Sequence, residues 1–122
     1  MAYTQIKTPN LNIIYEGGQC LKAVRDCFSI PWQPGFESAI KDWSSGVQIK
    51  ALPPKGVNVP VYFTLSNVAA GHVAISLPDG RVASSTMPGF HKPMYIHSSL
   101  ADLIRVYTNK PNGTCIYQGF ST

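Results

Sequence analysis

The chain changes its hydrophobic period about halfway along, and this change constrains the fold more than any other feature. Between residues 20 and 43, apolar side chains recur three and four apart, which predicts two amphipathic helices. One starts near Cys20, and the other carries Ala39 and Trp43. From residue 59 onward, β-branched and aromatic residues lie between turns rich in Pro and Gly, which predicts strands. Helices followed by a run of antiparallel strands are typical of the α+β class.

The strand-patterned half divides at its turns. It predicts strands at residues 59–65, 72–77, 81–86, 94–97, 104–107 and 114–120. The turn at residues 78–80 predicts a hairpin between the second and third of these strands. Residues 98–103 predict a helical turn that Ser98 or Ser99 would cap. The length fits one domain over residues 1–122.

Charge and composition exclude several classes of function. The ten Lys and Arg residues leave a net charge of +4, but they are scattered, which argues against a nucleic-acid-binding stripe. No apolar stretch reaches the roughly 18 residues of a membrane helix, and the first residues lack a secretory signal pattern. Three cysteines, an odd number, argue against a disulfide-stapled secreted domain. We therefore expect synthesis in a cytoplasm, without nucleic-acid or membrane partners.

A cysteine at a helix start and a histidine at a strand start form the candidate site. Cys20 begins the first predicted helix after Gly17 and Gly18, and His72 opens a later strand. The positive end of a helix lowers a thiol pKa, a nearby imidazole accepts the thiol proton, and free amides stabilise an oxyanion. These residue types are typical of a cysteine hydrolase.

The same residues carry a resemblance to a known family. Residues 15–26, with Gly-Gln-Cys at the helix start, and residues 71–75 (Gly-His-Val-Ala-Ile) resemble CHAP domains. These domains are cysteine, histidine-dependent amidohydrolases/peptidases related to NlpC-type and papain-like hydrolases. Residues 38–43, 59–63 and 77–82 resemble the family's second helix, the strand before the histidine and the hairpin of phage endolysin versions. The resemblance covers roughly residues 15 to 120.

The resemblance implies a fold, a substrate and site residues. It implies a papain-like architecture and hydrolysis of an amide bond in peptidoglycan, either in the stem peptide or cross-bridge or between muramic acid and alanine. Cys20 would be the nucleophile, its amide an oxyanion donor, and His72 the general base. Gln19 would orient the substrate, and Tyr15 would lie near the site. The chain would be a catalytic domain of a longer endolysin with a separate wall-binding domain, released to the bacterial wall without a signal peptide.

The third catalytic residue departs from the family pattern. Many CHAP domains carry Glu, Asp or Asn on the strand after the histidine strand, but residues 81–86 contain no carboxylate. Side-chain alternation predicts Ser84 as the residue that orients His72, or Ser85 if a bulge shifts the register. A hydroxyl accepts the imidazole N–H but stabilises imidazolium less than a carboxylate does.

The remaining cysteines, histidines and aromatics have plainer interpretations. Cys27 and Cys115 are expected to be buried, and His91 and His97 to lie on the surface or in loops. Trp32 is either a packing residue or a substrate platform at the cleft. No histidine–cysteine spacing fits a zinc site, and the acids near Cys20 lack the spacing of a calcium loop. We expect no metal and no cofactor.

Two alternatives to a wall hydrolase remain open. A module of the same fold that binds the wall without cutting it would explain the missing carboxylate. A thiol acyl-transferase acting on protein would use the same nucleophile. Wall binding without turnover identifies the first, and amine incorporation in place of hydrolysis identifies the second.

Overall fold

Ten helices and strands make up the described part of the chain. A computed structural model describes residues 11, 15–16, 20–28, 38–45, 47–85, 91–92 and 94–121. In chain order its elements are β1 (Tyr15–Glu16), α1 (Cys20–Cys27), α2 (Ala39–Ser45), β2 (Val59–Leu65), β3 (Val68–Ser76), β4 (Val82–Ser84), β5 (His91–Lys92), β6 (Tyr95–His97), α3 (Leu100–Tyr107) and β7 (Cys115–Phe120).

Five of the strands form one antiparallel sheet in the order β6-β4-β3-β2-β7. The two short strands β1 and β5 pair separately. Strand β2 lies inside the sheet, and Pro60 is its second residue, as the predicted strand start requires. An antiparallel sheet with few helices agrees with the predicted α+β class.

The helices cover both faces of the sheet. Alternate residues of β3 point to opposite faces. Val73 and Ile75 pack with Val24 of α1 in one apolar cluster, to which α2 also contributes. Ala74 packs in the other cluster with Leu103 of α3. Strand β3 is therefore buried on both sides along most of its length.

Several predicted elements are confirmed. Helix α1 begins at Cys20, and β2 has the predicted bounds. The hairpin between β3 and β4 turns at residues 77–81, with β4 shorter than predicted. Cys27 and Cys115 are buried, as predicted, and neither forms a disulfide. None of the helices in the described ranges is long and apolar enough to cross a membrane.

The prediction of a strand at residues 104–107 is wrong, because these residues complete helix α3. Their β-branched content favours a strand locally. Leu100, Leu103, Ile104 and Tyr107, however, recur three and four apart, so a helix turns all four toward the second cluster. Packing of this apolar face outweighs the local preference.

Ser99 caps α3 through a single side-chain bond. Its extended backbone precedes the helix, and its hydroxyl accepts a hydrogen bond from the Asp102 amide at 3.1 Å. The amide is one of the donors that a helix start leaves without a partner, and the serine satisfies it.

Replacing this cap is expected to destabilise the protein. Ser99→Ala should lower the free energy of unfolding by about 1 kcal/mol, because the Asp102 amide loses its partner. Ser98→Ala is the matched control, since it leaves the capping hydroxyl in place. Urea denaturation of both variants measures the difference, and equal stability of the two would contradict the assignment of Ser99 as the cap.

Candidate functional site

The Cys20 sulfur lies where the start of α1 meets β3. The main-chain amides of Val73, Leu21 and Cys20 itself lie near the sulfur and favour its charged form, which lowers its pKa. The last two amides are donors left free by the helix start. In the described residues β4 pairs with β3 only at Ile75 and Ser76, so this ladder ends before Val73. Helix and sheet therefore bring three amides to one sulfur.

The thiol is neutral in this environment. Burial raises the pKa of Cys20 above its usual value, and the three amides oppose this effect only in part. Removing the sulfur from water penalises the thiolate more than the amides stabilise it. The helix start lowers the thiol pKa as expected, but burial outweighs it, so a base must take the proton when the sulfur attacks.

His72 lies on β3, one residue before Val73, and its side chain is on the face covered by α3. It is opposite Phe63 in the β2–β3 register, with ring centroids 5.9 Å apart. Tyr107 of α3 stacks on the imidazole at a centroid distance of 4.2 Å and an interplanar angle of 29°. Sequence reasoning missed Tyr107, because its segment was predicted to be a strand.

The His72 Nε2 atom is buried and has no hydrogen-bond partner among the described residues. Burial, together with a smaller contribution from the charge of His97, lowers the pKa of His72 to about 3. The imidazole is therefore neutral at physiological pH. A buried ring nitrogen without a partner is uncommon in folded proteins, and such atoms are frequently found where a proton is exchanged.

Gly71 precedes His72 on β3 and has an unusual backbone conformation. Its φ of 69° lies in the left-handed region, which residues with a Cβ rarely adopt. The register between β2 and β3 shifts over this stretch, between the Phe63–His72 and Leu65–Val68 pairs. Glycine at this position therefore supports the bulge that leads into the histidine.

Cys20 packs with the α1 layer, whereas His72 lies on the α3 face of β3, and the two side chains do not contact each other directly. The Val73 amide holds the sulfur one residue from His72, and the charge of Cys20 contributes to the raised pKa of Tyr107, the residue stacked on His72. No hydrogen bond joins the thiol to the imidazole in the described part of the chain. The structure places both predicted residues at β3, but they do not form the hydrogen bond of a catalytic dyad in the described part of the chain.

Ser84 does not bond to His72. Its buried hydroxyl lies 3.0 Å from Nε2 of His97 and 3.2 Å from the hydroxyl of Tyr107. Ser85 contributes a main-chain carbonyl, which accepts the Tyr107 hydroxyl at 2.8 Å. Both serines therefore lie near the predicted site, but they bond to groups on β6 and α3.

The prediction of His97 as a surface or loop residue is wrong. It lies on β6 and is buried. Its Nδ1 atom is 3.8 Å from Oδ2 of Asp102, whose Oδ1 accepts from Arg105 at 2.6 Å. Burial lowers the pKa of His97, and the neighbouring Asp102 partly offsets this effect. Alternation along β6 gave no signal for this burial, because it places His97 on the same face as the exposed Tyr95.

The other predicted site residues are described only in part. Tyr15 lies on β1 opposite Lys92, but its side chain is outside the description. Gln19 and Trp32 lie outside the described residues, as does Phe36. Within the described ranges, no three His, Cys, Asp or Glu side chains are grouped closely enough to hold a metal ion.

No family model, no curated protein and no solved structure matches this chain. What the site does is therefore inferred from its residues and their geometry.

The raised thiol pKa predicts slow alkylation of Cys20 at neutral pH. Because only the thiolate reacts, the rate with iodoacetamide should rise about tenfold per pH unit between about pH 7 and pH 9. Peptide mass mapping distinguishes alkylation of Cys20 from that of Cys27 and Cys115. Burial raises the pKa of the latter two thiols to about 11. A Cys20 rate that is already high and flat below pH 7 would instead indicate a thiolate–imidazolium pair.

The low pKa of His72 predicts a loss of stability in weak acid. Between the unfolded pKa near 6.5 and the folded pKa of about 3, the unfolded chain binds the extra proton, so stability falls as the pH falls. The expected slope approaches about 1.4 kcal/mol per pH unit for one such group. Urea denaturation between about pH 6 and pH 5, above most carboxyl titrations, measures it. The slope should be shallower in His72→Gln, and an unchanged slope would exclude His72 as its source.

Proposed function

We propose that this protein is a cysteine hydrolase that cleaves amide bonds, with Cys20 as the nucleophile and His72 as the general base. The observation that carries the proposal is a thiol at a helix start, near three main-chain amides that favour its charged form, with a buried and unpartnered imidazole nitrogen on the adjoining residue of β3 in the described part of the chain. Amides converging on one point suit an atom that gains negative charge. A neutral imidazole suits a group that must accept a proton.

The reaction divides into two acyl transfers. The Cys20 sulfur attacks the amide carbonyl carbon, the thiol proton passes to His72, and the carbonyl oxygen takes the electron pair. When the carbonyl re-forms, the C–N bond breaks and His72 returns the proton to the leaving amine. Water then attacks the thioester with His72 again as base, which releases the acid and restores the thiol. The Cys20 amide is the proposed oxyanion donor.

The open dyad is compatible with this route. In ligand-free enzymes, catalytic hydrogen bonds are often long or poorly aligned, and they tighten when the substrate binds. The sulfur, on α1, lies near the Val73 amide, and the imidazole belongs to His72, the preceding residue of β3, where Tyr107 stacks on it. The proposal requires the two groups to exchange a proton in the substrate complex.

Peptidoglycan is the proposed substrate. The support is the resemblance of residues 15–26 and 71–75 to CHAP domains, together with a papain-like arrangement of a nucleophile helix on an antiparallel sheet, which we propose for this chain. Action would then take place at the bacterial wall, on a muramoyl–alanine, stem-peptide or cross-bridge amide, without a cofactor. The net charge of +4 favours association with a polyanionic wall.

A wall-binding module without turnover is the second candidate. Two observations favour it: burial raises the pKa of the Cys20 thiol, and no hydrogen bond links that thiol to His72 in the described residues. Such a module would bind walls as well after Cys20 is replaced as before.

Clearing of purified Gram-positive walls separates the two candidates. Wild type should clear them, and Cys20→Ala and His72→Ala should each lose about a thousandfold or more in rate, because the residues of a nucleophile–base pair act as a unit. Masses of the released fragments identify the cleaved bond. Release of a free carboxylic acid, in place of incorporation of an added amine, distinguishes hydrolysis from acyl transfer.

Cys27→Ala is the matched control, because it removes a buried thiol from the same helix but outside the site. It should keep wall clearing within a few-fold of wild type. Sedimentation with walls should show that Cys20→Ala still binds. Clearing that survives Cys20→Ala, or binding without clearing by the wild type, would overturn the hydrolase proposal.

A further inference from the structure

Among the described residues, Tyr107 makes the closest ring contact with the His72 imidazole. The near-parallel stack at 4.2 Å sets the plane of the His72 ring, and Phe63 provides a second, more distant contact at 5.9 Å. A stack restrains ring orientation without using either ring nitrogen. Nε2 of His72 thus stays without a partner in the described residues while the ring is held.

The Tyr107 hydroxyl is itself fixed by a chain of hydrogen bonds whose direction can be deduced. The Tyr107 hydroxyl has one hydrogen, which it donates to the Ser85 carbonyl. In its contact with Ser84, the Ser84 hydroxyl must therefore be the donor. That uses the only hydrogen of Ser84, so in the third contact Nε2 of His97 must donate to the Ser84 oxygen. The chain runs from His97 through Ser84 and Tyr107 to the main chain.

This direction excludes one reading of the cluster. Ser84, His97 and Asp102 have the composition and order of contacts of a serine-nucleophile triad. In such a triad the imidazole accepts the serine proton, but here His97 donates to Ser84, and Ser84 is fully buried. The three residues therefore help to fix the Tyr107 hydroxyl and do not form a second nucleophilic site.

The hydrogen-bond chain from His97 through Ser84 to Tyr107 does not depend on the charge of His97. With Nε2 committed as a donor, neutral His97 carries its lone pair on Nδ1, which is consistent with the absence of a partner for that atom in the described residues. Protonation adds a hydrogen at Nδ1, which faces Asp102 at 3.8 Å. In both states Nε2 continues to donate to Ser84.

We propose that Tyr107 is the positioning residue for the His72 imidazole, held by the chain from His97 through Ser84, and that it replaces the carboxylate missing from β4. The expected effect of Tyr107 on turnover rests on the proposed function, whereas its expected effect on the orientation of the His72 ring does not. Tyr107 acts through His72 by fixing the ring plane, and the imidazole nitrogens remain available to substrate and thiol.

Two substitutions of Tyr107 distinguish the contribution of its ring from that of its hydroxyl. Tyr107→Leu removes the stack and should lower kcat for wall clearing about a hundredfold with little change in KM, because a small displacement of a base has effects of this size. Tyr107→Phe keeps the stack and should restore most of the rate. Tyr117→Leu is the matched control, since Tyr117 packs on Phe63 at 5.7 Å and donates to Ala51 but does not stack on His72.

A second measurement does not require activity. The ring protons of His72, followed by NMR, should carry an upfield shift from the Tyr107 ring that is lost in Tyr107→Leu and kept in Tyr107→Phe and Tyr117→Leu. Loss of this shift with an inactive wild type would support the positioning role and refute the hydrolase. Unchanged His72 shifts in Tyr107→Leu, or equal losses of kcat in Tyr107→Leu and Tyr117→Leu, would overturn the inference.

Discussion

The burial of β3 on both faces is the constraint on which the rest of the structure depends. Because the strand alternates, Val73 and Ile75 must be covered by α1 and α2, while His72 and Ala74 must be covered by α3. The same alternation therefore assigns the thiol and the imidazole to different layers of the molecule. They meet only at the main chain of β3, where the Val73 amide reaches the sulfur.

Local sequence patterns were enough for the elements whose partners are close in the chain or whose periodicity is strong. Helix α1 and strand β2 are such cases, and so is Cys20, since a helix start is visible in the sequence itself. Helix α3 was missed in its second half because Ile104 and Val106 favour a strand when read alone. Only the presence of an apolar sheet face to cover decides between the two.

The partners of the site could not be predicted for a related reason. Ser84 was expected to orient His72, but the groups that it bonds come from β6 and α3, at 13 and 23 residues' distance in the chain. When residues 104–107 are treated as a strand, nothing in the sequence predicts that Tyr107 contacts His72. The inward orientation of His97 likewise depends on the pairing of β6 with β4, which places it opposite Val82.

The same burial gives the site its chemical character. It keeps the thiol protonated and the imidazole unprotonated, so proton transfer between them is unfavourable in the resting state. A bound peptide would bring polar groups to a site whose imidazole stacks on Tyr107 and lies near Phe63. Hydrogen bonds to the charged forms would lower the thiol pKa and raise the imidazole pKa together. Substrate binding would thus favour the proton transfer that the empty site opposes, and a neutral resting thiol would be protected from unproductive reactions until the substrate arrives.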